Sequence, residues 1–450
     1  MVSRDEVIRD GRDGARSGPV EERCEVGVVG AGLSGLLLSR ELSRRGTSHI
    51  VLESSDRAGG VIRTSRSGSG VLEHGPQRTR LTPAIRALVE ELGLTGELVA
   101  VPPHHPLFVV RGGKLHRVPF SLKALLATGL LSWGGKARLL LEPLTSVPRK
   151  GETVGEYFSR KLGREGCDYL AGPLFGGLYG SDPYEMYVRH ALEPTLRRVG
   201  VTRSLLLRAL SQSRGSESLP AVSFREGMGM LVDRLYHAVQ DHVRLSTPVR
   251  SARREGDLWA LELGSADGGS GGPVDHPITV RKLVLTVPSL VAAGILRATL
   301  PEVAGRLDAL AYNSLAIVHL HADCEGLHGL GYQVAYGESL RTRGVTWNAS
   351  ALQRSGIYTA FMGGARDPEV EEMSDADVGA LAAREFEAVT GCPARVVGVS
   401  RTRMPAWDRS WEALDGLSLP SSLHLCANYE SRPGIPGRFA QVSALAGKLV

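Results

Sequence analysis

The chain alternates between short, almost continuous apolar runs and leucine-rich stretches at helical spacing. Glu25 to Val29 reads EVGVV, and an apolar run of that length closed by glycine predicts a strand buried on both faces. It leads straight into Gly30-Ala31-Gly32-Leu33-Ser34-Gly35. Leucines at 33, 36, 37, 38 and 42 then mark a helix from about Leu33 to Arg45. The chain turns at Gly46, and His49 to Leu52 forms a second apolar strand. Val243 to Val249 (VRLSTPV) and Lys282 to Pro288 (KLVLTVP) read as further strands.

A helical lobe is expected at about 115 to 215. Its most apolar part, Leu122 to Leu144, is broken by Lys123, Gly129, Gly134, Gly135, Lys136 and Arg138. It falls short of the roughly 20 uninterrupted apolar residues that a spanning helix needs. A helix packed on the core is the simpler reading. A peripheral membrane contact stays open, because Leu125, Leu126, Leu130, Leu131 and Trp133 can form one apolar face beside basic residues.

The first strand, turn and helix carry chemistry. In GxGxxG between a strand and a helix, Gly30 allows the tight turn and Gly32 lets the main chain approach a diphosphate. Gly35 permits close helix-to-strand packing. The anion then rests on the positive end of the helix. The second strand ends on Glu53, 18 residues beyond Gly35, where an acidic side chain accepts hydrogen bonds from ribose hydroxyls. Dinucleotide binding is the expectation.

Composition narrows the rest. A chain of 450 residues, 42% hydrophobic and 22% charged, exceeds one ordinary domain and predicts two or three that interleave. Its net charge of +5 comes without a dense Lys/Arg tract, which argues against nucleic acid and for an anionic cofactor or substrate. Five scattered cysteines show no CxxC pair and no histidine at zinc spacing, so neither metal nor disulfide framework is expected; a reducing cytoplasm fits. Residues 1–22 mix both charges with glycine and read as a flexible tail rather than a signal peptide. No Ser-His-Asp set, paired carboxylates or histidine cluster stands out.

Glu53-Ser54-Ser55-Asp56-Arg57-Ala58-Gly59-Gly60-Val61-Ile62-Arg63 matches the ExxxRxGG continuation of the large flavoprotein family that resembles monoamine oxidases. Paired glycines bring the main chain near the diphosphate, and Arg57 and Arg63 add complementary charge. The resemblance implies FAD, with Gly75, Pro76, Gln77 and Arg78 of Glu73-His74-Gly75-Pro76-Gln77-Arg78 as a second flavin contact. Beyond this, the chain from about Cys24 onward resembles the protoporphyrinogen and coproporphyrinogen oxidases. Leu174 to Pro183 is similar to that family's loop in which a glycine backbone, here Gly177, lies against a pyrrole ring. Phe224 to Leu231 resembles the stretch that returns the chain to the FAD domain, and Val249 takes the place of a valine whose main chain meets adenine. Phe361 to Arg366 is also similar to a family segment, and Trp347 stands where an aromatic ring is expected against the macrocycle.

Two departures accompany the likeness. Leu107 occupies a position where plant-type enzymes carry an arginine for a propionate, and leucine cannot make that contact. Arg78, Arg80, Arg197, Arg198 and Arg203 are the replacement candidates. Near the C-terminus, Ala427 to Phe439 carries one extra residue, so Gly434, Ile435 and Pro436 cover the isoalloxazine, and proline has no N–H to offer it.

The resemblance implies an α/β fold in which a Rossmann-like FAD-binding domain (23–105, 226–300 and 405–450) interleaves with a mixed-sheet substrate domain (301–404) and a helical lobe (106–225). It implies FAD-dependent removal of hydride from a porphyrinogen with O2 as acceptor, giving porphyrin and hydrogen peroxide. The rival readings are an amine oxidase or desaturase of secondary metabolism, and a non-catalytic escort protein on the same fold. A homodimer stays open.

Overall fold

The computed structural model describes residues 22–68, 70–145, 147–198, 200–201, 204–205, 219–264, 278–430 and 434–449. The tail reading for residues 1–22 therefore lies outside the described residues, except that Glu22 already opens the first strand, Glu22–Val29.

Two seven-stranded sheets organise the described residues. In the first, Glu22–Val29 lies between His49–Leu52 and Ile278–Leu285, with all three parallel. Val243–Arg244 and Leu423–Leu425 extend it in parallel, and the hairpin Val249–Glu255/Leu258–Leu263 adds antiparallel strands. Val26 and Val28 have no exposed surface, as the continuous apolar run demands of a parallel strand covered on both faces. On one face the Leu33–Arg44 helix packs with the Gly229–Val239 and Ile435–Leu449 helices, burying Leu36, Leu38, Leu231, Leu235, Val442 and Leu445 together. On the other, Ala292, Leu296, Ala304 and Leu307 pack over Leu285 and Trp259.

The run Val243 to Val249 is not one strand. Ser246 has a left-handed φ of 51°, and Pro248 offers no N–H for pairing, so the run splits into Val243–Arg244 and the start of Val249–Glu255. The strand expected at Lys282 to Pro288 runs instead from Ile278 to Leu285.

The second sheet runs Arg395–Pro405, Tyr312–His321, Ile357–Gly363, Thr342–Thr346, Gly331–Val334, Leu107–Arg111 and Lys114–Arg117 in spatial order. The stretch read as a helical lobe thus opens with a hairpin of this sheet. One sheet face packs on the Asp375–Thr390 helix through Val318, Ala360, Met362, Val378, Ala382 and Phe386. The opposite face receives the Gly172–Tyr179 helix. Thr79–Arg80, Leu98–Ala100 and Ala221–Phe224 form a small third sheet.

The apolar stretch after Leu122 forms two short helices, Leu122–Ala127 and Trp133–Leu140, each started by a serine side chain, Ser121 and Ser132, that accepts a main-chain N–H. Leu125, Leu130, Leu131 and Leu139 point inward, whereas Leu126, Trp133, Leu140, Leu141 and Leu144 are exposed. Among the described residues no helix is long and apolar enough to cross a membrane.

Candidate active site

The glycine turn is built as its spacing requires. Gly30 has a φ of 102°, and its N–H donates to Leu52 O at 2.8 Å, clamping the turn to the neighbouring strand. The Thr286 hydroxyl lies 2.9 Å from both Val29 O and Gly30 O. A Cβ on Gly35 would overlap the carbonyl oxygen of Gly30, so helix and turn approach too closely for any other residue. Around Gly32 the nearest atom that a Cβ would meet is Gly60 Cα at 3.9 Å, which leaves an open cradle over the helix start.

Glu53 braces this cradle. Its Oε2 accepts the Ala31 N–H at 2.7 Å, and its Oε1 accepts from Ser55 N at 3.0 Å and from the Ser54 hydroxyl at 3.3 Å. Leu33 and Ser34 are buried in the first helical turn. Arg57 folds back on its own loop, donating to Gly60 O at 2.7 Å and Ala58 O at 3.2 Å, and so holds the positive-φ pair Gly59 and Gly60 against Gly32. Val61 is largely exposed beside it.

The second segment meets the first: a Cβ on Gly75 would overlap the carbonyl oxygen of Val61. Gly75 and Pro76 are half-buried, and Gln77 reaches the second sheet, where its Oε1 accepts from Asn348 Nδ2 at 2.8 Å. The Nη1 of Arg78 is enclosed with no hydrogen-bond partner. Burial, and then the charge of Arg80, push its pKa down. No carboxylate among the described residues pairs with this cation, so its environment calls for an anionic or electron-rich acceptor. Val249 stands at an irregularity in its strand pairing. Gly434 has a φ of 92° and accepts the N–H groups of Gly437 and Arg438 at the start of the Ile435–Leu449 helix, with Ile435 buried. Residues 431–433 of the departing motif lie outside the described residues. The open cradle at Gly32, the braced Glu53 and the uncompensated Arg78 fit FAD.

Across from these segments the Gly172–Tyr179 helix lies on the second sheet, glycines inward. Gly172 and Gly176 face the Tyr336 ring, whose hydroxyl is 3.1 Å from Gly172 O. A Cβ on Gly177 would overlap the Gln333 amide, and Gly180, with a φ of 62°, faces Leu315. Alternation along Ile357–Gly363 places Tyr358, Ala360 and Met362 in the core and Phe361 on this opposite face, in register with Gly344. His319, with no exposed surface, lies on it too: Thr359 Oγ1 is 3.4 Å from His319 Nδ1 and accepts from Asn348 Nδ2 at 2.9 Å. Burial first, with the nearby His74 and Arg354 charges, lowers the His319 pKa to about 4.

Trp347 is placed elsewhere. It is 1% exposed and packs on Phe108 and Tyr332 in the cluster under the Asp375–Thr390 helix, on the far side of the sheet from Gly177. This corrects the expectation of Trp347 as a ring against the macrocycle; Phe361 and Tyr336 are aromatic residues on the Gly177 face. Leu107 is half-buried beside Val109, Leu130 and Ala335. Among the arginine candidates, Arg80 donates to Leu219 O at 2.9 Å and Arg197 pairs with Glu193 at the surface. The Arg198 side chain and Arg203 lie outside the described residues. Gln333, Phe361 and the Asn348–Thr359–His319 chain were not singled out from sequence. Phe361 stands at the head of the Phe361 to Arg366 run noted for family likeness and Asn348 follows Trp347, whereas Gln333, Thr359 and His319 carried no local signal. Among the described residues no group of His, Cys, Asp and Glu is placed to hold a metal ion.

The model of the flavin containing amine oxidoreductases matches residues 33–422. The chain is 26% identical over 414 residues to protoporphyrinogen oxidase 1 of Spinacia oleracea chloroplasts, covering 83% of this chain and 73% of that protein. Human protoporphyrinogen oxidase is 29% identical over 358 residues, 72% of this chain and 73% of its own. Coproporphyrinogen III oxidase of Propionibacterium freudenreichii is 30% identical over 211 residues, 44% of this chain and 40% of that one. Among solved structures, a candidate protoporphyrinogen oxidase from an Exiguobacterium strain superposes with a TM-score of 0.75 at 21% identity, covering 96% of this chain and 99% of the other. A cofactor-binding redesign of putrescine oxidase reaches 0.68 at 17% identity, covering 95% and 99%. These superpositions establish a shared fold.

Proposed function

The chain belongs to the flavin containing amine oxidoreductases, and on that premise we propose that it removes hydride from a porphyrinogen, coproporphyrinogen III or protoporphyrinogen IX, with O2 as the final acceptor. It is an FAD-dependent oxidoreductase. Bound FAD supplies the hydride acceptor. In this reading Gly30 to Gly35, Glu53, Ser54, Arg57 and Gly59 to Val61 hold its adenosine and diphosphate, with Val249 at the adenine. Gly75 to Arg78 and Gly434 to Pro436 hold the ring system.

The observation that carries the substrate reading is the likeness to protoporphyrinogen oxidases over most of the chain, and the Gly172–Tyr179 helix, its glycines packed on Gln333 and Tyr336, holds the glycine that the resemblance sets against a pyrrole. The chain's own residues orient the reacting carbon and exclude water, which is the larger part of what such an oxidation asks of a protein. No strong base is required, and the buried histidine on this face, His319, is held neutral. The likeness to protoporphyrinogen oxidases over most of the chain favours the protoporphyrinogen, and Leu107 in place of an arginine favours the coproporphyrinogen.

Anaerobic mixing decides. Either porphyrinogen should bleach the bound flavin's absorbance, and simple amines should not. Bleaching by amines alone would replace this reading with an amine oxidase. Pro436, which offers no N–H in the first turn of its helix, is the feature that keeps the amine reading in play.

For localisation we propose a peripheral membrane contact. Phe120, Trp133 and Leu144, at 74%, 75% and 75% exposure, lie with Leu126, Leu140 and Leu141 in one segment, beside exposed Lys123, Arg149 and Lys150.

A further inference from the structure

The turn that follows Trp347 takes hold of the chain around Gly75–Arg78 at two points. Trp347 is anchored in the cluster under the Asp375–Thr390 helix, and the chain then winds through the short helix Asn348–Ala351 to Arg354, whose N–H returns to Asn348 O at 3.1 Å. A left-handed φ of 56° at Gln353 closes the turn. From it Arg354 holds Glu73, just before the segment, and Asn348 holds Gln77 within it, 271 residues away in sequence.

The hydrogens of the Asn348–Gln77 pair are fully assigned by their surroundings. Gln77 Nε2 lies over its own loop, donating to Glu73 O at 3.2 Å and to Gly75 O at 3.3 Å, which turns its Oε1 toward the second sheet. There it accepts from Asn348 Nδ2 at 2.8 Å. The second Nδ2 hydrogen goes to Thr359 Oγ1 at 2.9 Å. Asn348 thus clamps Gln77 to the Ile357–Gly363 strand and has no donor left over. Both amides are buried, so bulk water does not compete for these bonds.

The two holds do different work. Glu73 ends the Gly70–Glu73 strand, and His74 to Arg78 belong to no strand, so the charge pair with Arg354 secures where the segment begins and leaves its direction open. A hydrogen bond between two amides is directional and supplies what the ion pair does not. Arg78 follows directly after Gln77, and its enclosed Nη1 has no protein partner.

We propose that Asn348 is a positioning residue for the cofactor: by fixing Gln77 it holds the Gly75–Arg78 segment, and with it the Arg78 guanidinium, in the orientation that receives the flavin. The second sheet then takes part in binding FAD as well as substrate. The proposal rests on the reading that Gly75 to Arg78 hold the ring system.

The test compares wild type with Asn348→Leu, Gln77→Leu, their double variant and Arg78→Leu. Thermal midpoints are recorded first; should Asn348→Leu not fold, Asn348→Ser, whose hydroxyl is too short to reach Gln77, takes its place. FAD affinity is read by titrating apo-protein, and the setting of the bound ring by the visible circular dichroism of the holoprotein. Asn348→Leu should weaken FAD binding by about 10-fold, the order of one buried hydrogen bond, and change the dichroic bands. Gln77→Leu should do the same, and the double variant should be no weaker than either single, since all three lose the same bond. A lowered thermal midpoint with affinity and dichroic bands at wild-type values would make Asn348 merely structural and overturn the proposal. Additive losses in the double would overturn it as well. If Arg78→Leu also leaves affinity and spectrum unchanged, the segment does not meet the flavin, and the reading beneath the proposal falls, a result distinct from failure of Asn348 alone.

Discussion

Arg354 donates to Glu73 at 2.8 Å across 281 residues of sequence, and the two side chains are 4% and 1% exposed. The same carboxylate accepts from Thr64 Oγ1 at 2.6 Å and Met228 N at 2.7 Å, and Arg354 also donates to Ser223 Oγ at 2.9 Å. Four segments of the chain thus close on one buried charge pair, joining the strand that precedes the Gly75–Arg78 segment to the second sheet. Arg354→Met strands a carboxylate whose pKa burial already raises. The expected loss is about 3–5 kcal/mol in urea unfolding, the range for an orphaned buried ion. The double variant with Glu73→Gln should recover part of it; equal or greater loss in the double would mean that the pair is not the unit that matters.

Gly32 and Gly35 should separate folding from cofactor binding. A Cβ at Gly35 meets a main-chain oxygen that cannot move aside, so Gly35→Ala should misfold or lose most of its thermal stability. A Cβ at Gly32 meets nothing closer than 3.9 Å, so Gly32→Ala should fold normally. It should nonetheless bind FAD at least about 10-fold more weakly, because the methyl occupies the cradle meant for the diphosphate. Equal FAD affinity in apo-protein titrations would move the diphosphate elsewhere.

Gly177→Ala brings a methyl onto the Gln333 amide, the far end of a flexible side chain. Stability should change by no more than about 1 kcal/mol, whereas kcat/KM for a porphyrinogen should fall by about 10-fold or more if the Gly177 main chain meets the substrate, as proposed. Steady-state kinetics beside a melting curve distinguishes this from general destabilisation.

His319 should give the protein a measurable acid sensitivity. Its pKa falls from the ordinary 6.5 to about 4 through burial, so the unfolded chain binds a proton that the folded one refuses between these values. The stability it permits is complete above pH 6.5 and is lost as pH falls toward 4, by up to roughly 3 kcal/mol. His319→Gln should flatten that part of the stability-pH curve. An unchanged slope relative to wild type would assign the sensitivity to other groups.

Trp133 reports on the exposed apolar segment. Its fluorescence should shift to the blue with vesicles containing anionic lipid and not with neutral ones, since Lys123, Arg149 and Lys150 flank it. Replacing Trp133 and Leu144 by serine should abolish co-sedimentation with vesicles while leaving flavin content intact.

What the sequence made legible is what is encoded locally. The strand at Glu22–Val29, the Leu33–Arg44 helix and the placement of Glu53 follow from a periodicity and a glycine spacing that span a few turns. The family-wide FAD reading followed from the segment directly after them. The sheet face toward Gly177 was less legible because the pairing of Thr342–Thr346 with Ile357–Gly363 slips between Thr342 and Gly344. A one-residue slip reverses which side chains share a face. Counting along the strand therefore does not tell whether Trp347 or Phe361 looks toward Gly177. The split of Val243 to Val249 was hidden in the same way, by a serine in a backbone conformation that its identity does not announce.

The parallel core of the first sheet takes Glu22–Val29 from one end of the chain and Leu423–Leu425 from the other, both flanking Ile278–Leu285, and the Ile435–Leu449 helix closes over the Leu33–Arg44 helix. On the ribosome, the glycine turn emerges early and waits for its cover. Leu36, Leu38 and Leu42 stay without Val442 and Leu445 until about 400 further residues have been made. The nascent chain therefore carries an unfinished nucleotide site with a greasy flank until the Ile435–Leu449 helix has been made.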